Sequence, residues 1–213
     1  MIRALDMSAV RSEYERTIVQ NGSTMRTSGE ASKARIEEAA IRVFVHKGVN
    51  GASMRDIARE AQVSLGAIYN HYPSKEELAW ALFSRSWGEM GMELRERART
   101  AATLSSQLRE MVRYVFESFD ENWELVTYVY LSRHAHLRNV TSDIPNPHIV
   151  FRKIIVDATT RGEIPRLEPD LATAMVMGAI VQVIDMKILG RVRGRLAGHV
   201  DSVAAGCARL LGA

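Results

Sequence analysis

The chain has 213 residues, of which 46% are hydrophobic and 25% charged, a globular balance that excludes disorder throughout and supplies one or two cores. The formal net charge is only +3, so charge alone does not argue for a nucleic-acid partner. Cys207 is the single cysteine, which excludes an intrachain disulfide and a cysteine-rich zinc site and favours a reducing compartment.

An N-terminal tail is predicted for residues 1–30, because turn and linker residues close to its end separate it from the rest of the chain. Charged residues interrupt the apolar stretch that a secretory signal would need, so we expect a cytoplasmic protein. The most apolar segment is 171–181, but polar and charged residues come too soon after it for a membrane span of about 20 residues. We expect a buried helix there and no membrane partner.

Apolar residues recur at helical spacing from Ser32 onward, beginning with Ile36, Ala40, Val43 and Phe44. No alternating run bounded by hairpin turns is present, so the predicted fold is all-α with about nine helices. Further helices are predicted over 53–61, 64–71, 74–100, 103–119, 121–137, 147–161, 168–190 and 198–211.

Two short helices joined by a tight turn are predicted between residues 53 and 71. Ser53 and Asp56 form a capping-box pattern, in which the serine oxygen accepts from a backbone amide and the acid reaches back. This pattern predicts a helix that begins at Met54. After a three-residue turn, Ser64 is placed to cap the second helix.

The second short helix has an outer face suited to close contact with DNA. Leu65, Ile68 and Tyr72 are three and four residues apart and can share the inward face. On the other sides, small residues such as Gly66 let the backbone approach a groove, and Asn70 carries the donor and acceptor that match an adenine edge.

A third cap is predicted at Ser74, where a long helix is expected to start. The N-terminal amides of this helix and the Lys75 side chain can meet a phosphate.

These motifs resemble the DNA-binding domain of the TetR family over about residues 32–80. The residues that carry the resemblance are Gly48 and the runs Gly51 to Ala58, Ala61 to Ser64, Ala67 to Tyr72 and Ser74 to Leu78. Gln62 stands where the family usually has glycine, and Tyr72 where it usually has phenylalanine. Gln62 is therefore expected to adopt a positive φ, at a cost of roughly 1 kcal/mol.

The resemblance implies three regions: the tail, an N-terminal three-helix helix-turn-helix domain at 31–80, and a C-terminal helical ligand-binding and dimerisation domain at 81–213. It implies phosphate contacts for Arg55, Tyr69, His71 and Lys75. It implies positions near the bases for Ser53, Met54, Leu65, Gly66, Ala67 and Asn70, and Ser64 joins this set as the cap of the second helix. A core role for Leu65 and a solvated helix end for His71 remain open.

The region after residue 85 is rich in aromatic residues and methionine. Most of these are expected to be plain core, but such a layer can also surround an apolar cavity that holds a small-molecule effector. The candidate ligand-binding residues are Trp87, Met90, Met111, Phe116, Trp123, Tyr128, Phe151 and Gln182.

Residues 168–211 are apolar on more than one helix face, which a terminal helix can sustain only if something covers it. In the TetR family the closing helices of two subunits form a four-helix bundle. The resemblance therefore implies a homodimer through 168–211 that binds near-palindromic double-stranded DNA.

No pattern typical of a catalytic centre is present, so no catalytic residue, metal or cofactor is expected. His134 and His136, with Asp143 and His148, suggest a metal site. However, His134 and His136 are two residues apart on a predicted helix, which directs their side chains about 200° from each other and disfavours a shared metal. The sequence thus predicts a sequence-specific transcriptional regulator, a repressor released by a small apolar or aromatic ligand, and not an enzyme. The alternatives are a helical carrier or enzyme with a helix-turn-helix lookalike, and a constitutive DNA-binding protein without a sensor.

Overall fold

A computed structural model describes residues 28–136 and 146–213. These residues form nine α-helices and one 3-10 turn, with no strand among them, which confirms the all-α prediction. The helices are α1 (Ser28–Gly51), α2 (Met54–Ala61), α3 (Leu65–Tyr69), α4 (Lys75–Arg99), α5 (Leu104–Glu121), α6 (Trp123–His136), α7 (Pro147–Arg161), α8 (Pro169–Ile188) and α9 (Val200–Leu210), with the 3-10 turn at Leu196–His199. The expected tail lies outside the described residues up to residue 27, and α1 begins at Ser28.

Helix α1 packs its apolar stripe against α2, α4 and α6. Ile36, Ala40 and Phe44 of this stripe are buried, as their spacing predicts. The helical conformation breaks at Gly48, whose φ of 70° and ψ of 157° are readily accessible to glycine. The chain then turns toward α2.

Helix α4 connects the N-terminal helices to the rest of the chain. Its 25 residues span about 37 Å, and it packs against α1, α5, α6 and α7. The boundary expected at residue 80 falls within this helix. The buried apolar residues form one continuous cluster from Ile36 to Leu211, so no solvated gap separates an N-terminal from a C-terminal core.

The last helices differ in how much of their surface the fold covers. Helix α9 packs mainly on α5, and α8 packs on α7 and α9. On α8, one stripe that includes Val176, Ile180 and Ile184 is buried in the core. By length and composition, α8 is the one helix among the described residues that is apolar enough to cross a membrane.

Candidate DNA-recognition face and effector site

Helix α2 begins with the capping box that the sequence predicts. The Ser53 hydroxyl accepts from the Asp56 amide at 3.2 Å, and the Asp56 carboxylate accepts from the Ser53 amide at 3.1 Å. The Lys47 ammonium donates to Asp56 at 2.8 Å. Hydrogen bonds from Lys47 and Ser53 lower the pKa of Asp56 from 3.8 to about 2. The start of α2 is therefore fixed by one carboxylate with several hydrogen-bond donors.

The turn between α2 and α3 places Gln62 in the left-handed region, with φ 53° and ψ 47°. Within 28–136 and 146–213 it is the only residue other than glycine with a positive φ, so the expected positive φ is confirmed. The Val63 amide donates to the Ala58 carbonyl at 3.1 Å, which closes the end of α2. Arg35 of α1 donates to the carbonyls of Ala61 at 2.5 Å and Gln62 at 3.0 Å, and so holds the strained turn in place.

Helix α3 is shorter than predicted, with five residues between Ser64 and Asn70. The Ser64 hydroxyl accepts from the Ala67 amide at 3.1 Å, which confirms the predicted cap. Ile68 is fully buried, whereas Gly66 and Asn70 are exposed. The Tyr69 ring is 50% exposed, so packing in the core does not account for an aromatic residue here. Because Gly66 has no side chain, the backbone of this face can approach a DNA groove closely.

Arg55 and Ser53 are exposed beside this helix, while His71 and Ala67 are half-buried. Two other residues expected near the bases occupy inward positions. Met54 is buried in the core, which disfavours the expected base contact. Leu65 is half-buried and packs against the core, which favours a core role over a base contact.

Lys75 holds the turn before α2 to the first residue of α4. Its side chain is only 17% exposed, and its ammonium donates to the carbonyls of Ala52 at 2.9 Å and Asn50 at 3.4 Å. Glu76 lies 3.7 Å from the same ammonium. The expected phosphate contact would therefore use a cation that already has a structural role in the free protein.

A hydrogen-bonded network that the sequence did not reveal links α1, α4 and the end of the recognition segment, by which we mean the stretch from Ser64 to Tyr72. The Tyr72 hydroxyl donates to Glu37 at 2.5 Å, and Arg85 donates to the other oxygen of Glu37 at 2.7 Å. Burial disfavours the charged form of Glu37, but the bonds from Arg85 and Tyr72 outweigh it and lower its pKa. Tyr72 thus gains a polar partner that a phenylalanine at this position would lack.

Tyr128 joins the N-terminal helices to the C-terminal region and does not line a cavity as predicted. Its ring stacks on Phe44 with centroids 5.7 Å apart, and its hydroxyl donates to the Ala79 carbonyl at 2.6 Å. The residue is buried, and both its face and its polar end have protein partners. Tyr128 therefore has a structural role and leaves no group free for a ligand.

An apolar cavity lies between α4, α5, α6, α7 and α8, in the region expected for an effector. It includes three of the predicted residues, Trp87, Met90 and Phe151, together with Tyr130 and Ile180. Its free volume is only about 10 Å³, roughly the space of one water molecule. A ligand of ordinary size would enter only if these side chains moved.

Four other predicted ligand-binding residues lie elsewhere. Met111 and Phe116 on α5 are fully buried core residues that do not line this cavity. Trp123 is 46% exposed and meets the His46 ring edge-on at 6.5 Å. Gln182 is exposed on α8. The aromatic pattern therefore did not separate core, surface and cavity positions within this region.

Two of the histidines considered for a metal site pack against aromatic rings. His136 packs on the Phe83 ring at 5.0 Å, and His148 lies 6.1 Å from the Trp87 ring. Burial lowers the pKa of both histidines. Over the described parts of the chain, no three His, Cys, Asp or Glu residues are grouped to hold a metal ion, and Asp143 lies outside those parts.

Comparisons with known proteins connect this geometry to a family. The model of the N-terminal domain of bacterial regulatory proteins of the tetR family matches residues 36–82, which contain α2, α3 and the start of α4. The chain is similar to the HTH-type transcriptional regulator UidR of Escherichia coli, with 27% identity over 71% of this chain and 76% of the relative. It is 26% identical to the fatty acid metabolism regulator protein of Bacillus subtilis over 70% of this chain and 79% of that protein.

A solved structure extends the likeness to the whole fold. The Bacillus subtilis transcriptional regulator FadR, determined in complex with stearoyl-CoA, matches with a TM-score of 0.69 at 20% identity. The match covers 83% of this chain and 97% of that one. At this identity the likeness concerns the fold.

Proposed function

Because the chain belongs to the TetR family and is a DNA-binding transcriptional regulator, we propose that it is a dimeric repressor of a near-palindromic operator, released by a small apolar or aromatic ligand. The observation that carries the proposal is the exposed face of α3, where Tyr69 and Asn70 stand beside Gly66 on a helix capped at Ser64. A carrier or an enzyme has no use for such a face.

In this proposal the helix-turn-helix divides its contacts by chemistry. Phosphates are bound by Arg55, Tyr69, His71 and Lys75, which set the register on the duplex. The residues near the bases are Ser53, Gly66, Ala67 and Asn70, with Asn70 as the one that reads an adenine. Ser64 positions α3 through its cap. Leu65 contributes through packing.

The partner of α8 is a second copy of the chain. The uncovered side of this helix carries residues spaced alternately four and three apart, the repeat of a helix-helix seam. The exposed ones are Leu171, Met175, Gly178 and Gln182; Asp185 is half-buried, and Leu189 continues the repeat just after the helix. Leu171 is 61% exposed in the single chain, and pairing would remove this apolar side chain from water. Gln182 then becomes a polar seam residue that sets the register of the two helices.

Helix α4 connects the effector region to the DNA-binding end. It carries Trp87 and Met90 of the cavity, and Arg85 of the Glu37 network, and it begins at Lys75. A ligand that separates α4 from α7 and α8 would move its N-terminal end and change the spacing of two recognition helices. Because the two half-sites of an operator lie about 34–36 Å apart, both recognition helices can bind only within a narrow range of spacings. A preference of about 2.8 kcal/mol for the released state would lower DNA affinity about a hundredfold.

The test measures dimerisation and release together on a fluorescent near-palindromic duplex. Met175→Glu should give monomers that bind DNA weakly, whereas Leu131→Glu, an equally drastic change on the exposed side of α6, should leave a dimer. A panel of compounds with apolar chains, beginning with stearoyl-CoA, which is bound in the similar Bacillus subtilis structure, is then tested for release. Dimers that persist in Met175→Glu, or DNA binding unaffected by every compound, would contradict the respective part of the proposal.

A further inference from the structure

A groove separate from the apolar cavity runs between α4, α5 and α6. Its free volume is about 220 Å³, far larger than that of the cavity. Its lining includes the carboxylates of Glu89 and Glu121 and the hydroxyls of Ser86, Tyr114 and Ser118. This wall is therefore rich in hydrogen-bond acceptors, and its two ionised side chains carry the same sign.

Ser86 points to a ligand independently of the carboxylates. It is 8% exposed, lines the groove, and forms no hydrogen bond with the described residues through its hydroxyl. The hydroxyl of a residue that is this buried normally has a hydrogen-bond partner. The groove supplies the space in which a ligand group would provide that partner.

The cations nearest to the groove are already engaged. The Arg85 guanidinium donates to Glu37 at 2.7 Å, and that of Arg97 lies 5.7 Å from the centre of the Tyr114 ring. Among residues 28–136 and 146–213, no cation lies within ion-pair distance of Glu89 or Glu121, and the charge of Arg85 acts on Glu89 only at longer range. A positively charged ligand group would supply the missing countercharge, and an anionic one would be repelled.

Met90 is the one side chain that lines both the groove and the apolar cavity. Methionine is unbranched and changes rotamer easily, so its movement can join the two spaces. Beyond it lie Trp87, Phe151 and other apolar residues. A single molecule could place a polar group in the groove and an apolar chain past Met90.

We infer that the groove binds a protonated amine attached to an apolar chain, with Glu89 and Glu121 as countercharges, Ser86 as a hydrogen-bond partner and Met90 as the entrance to the cavity. This inference rests on the proposed effector function and specifies its ligand class. It distinguishes the chain from the structural relative with an acyl-CoA ligand, because phosphates would face two carboxylates here.

The test uses octylamine, octanol and octanoate at pH 7, which share a chain and differ in head charge. Calorimetric titration of the full-length protein should show octylamine binding at least about tenfold more tightly than octanoate, the effect of about one ion pair. Glu89→Gln should weaken octylamine about tenfold and leave octanol within about twofold. Met90→Trp, which fills the entrance, should weaken octylamine and octanol alike.

Glu96→Gln is the matched control, since Glu96 lies on α4 but outside the groove and pairs with Arg99 at 3.5 Å. It should leave all three affinities unchanged. Octanoate binding as tightly as octylamine, an unchanged octylamine affinity in Glu89→Gln, or no binding of any probe would overturn the inference. Octylamine that binds as expected but leaves operator DNA bound would support the site and contradict the proposed effector role.

Discussion

Phe44 and Tyr128 stack with ring centroids 5.7 Å apart, and this contact joins α1 of the DNA-binding region to α6 of the C-terminal region. Because the Tyr128 hydroxyl also donates to the Ala79 carbonyl on α4, three helices meet at one side chain. A movement of α4 or α6 therefore reaches the helix that supports the recognition segment. Tyr128 is best understood as a connection between the regions.

Removing that hydroxyl should cost stability. Tyr128→Phe keeps the stacked ring but loses a buried hydrogen bond, so the free energy of unfolding should fall by about 1 kcal/mol. Tyr69→Phe, at an exposed ring, should change it by less than about 0.5 kcal/mol. Urea denaturation of both variants measures the difference, and equal effects would argue against the role assigned to Tyr128.

At the turn between α2 and α3, a substitution is expected to raise the stability of the protein. Gln62→Gly should raise stability by up to about 1 kcal/mol, because glycine adopts the left-handed conformation without the steric cost, although its greater freedom in the unfolded chain offsets part of the gain. Gln62→Val should lower stability by about 1–2 kcal/mol, since a β-branched residue disfavours a positive φ. Thermal unfolding ranks the three proteins; a glycine variant less stable than the valine variant would refute this explanation.

Replacing Arg55 and replacing Lys75 should both weaken DNA binding, but the two changes should differ in their effect on stability. Arg55→Met should reduce affinity for all duplexes and lower the salt dependence of binding by about one counterion, with little change in stability. Lys75→Met should reduce affinity and also destabilise the protein, because its ammonium holds the Ala52 and Asn50 carbonyls. DNA titrations at several salt concentrations, paired with unfolding curves, test this. Lys75→Met that is as stable as the unmodified protein would contradict the structural role.

The capping box predicts a pH dependence. The pKa of Asp56 is about 2 in the folded protein against 3.8 for the unperturbed group, so its ionisation stabilises the fold above pH 3.8. That contribution is lost as the pH falls from 3.8 toward about 2, because the folded state then takes up its proton. The stability difference between the unmodified protein and Asp56→Asn should therefore narrow over this interval. A difference that stays constant from about pH 5 to about pH 2 would contradict the assignment.

Much of the DNA-binding region could be predicted from sequence because its determinants are local. A capping serine and an acid three residues later fix a helix start, and the departure at Gln62 from glycine predicted a positive φ that the backbone adopts. The inward position of Met54 and the partners of Lys75 were not predictable, since both depend on contacts with distant residues. The Tyr72, Glu37 and Arg85 network was also missed, because its members are far apart along the chain.

The effector region was harder to predict for a related reason. Helical spacing places Met111 and Phe151 equally well on an inward face, but only the packing of five helices decides which of them borders free space. The exposed position of Gln182 could not be predicted for the same reason, since it lies on a helix face that the single chain leaves uncovered.

The central claim is that the face around α3 reads a specific DNA sequence as part of a two-fold dimer. Selection of bound fragments from genomic DNA of the source organism, using the full-length protein, tests it most directly. We predict recovery of a near-palindrome whose half-sites lie about one helical turn apart, and loss of that enrichment in Asn70→Ala with retained stability. Fragments without a shared inverted repeat, or the same enrichment with Asn70→Ala, would contradict it.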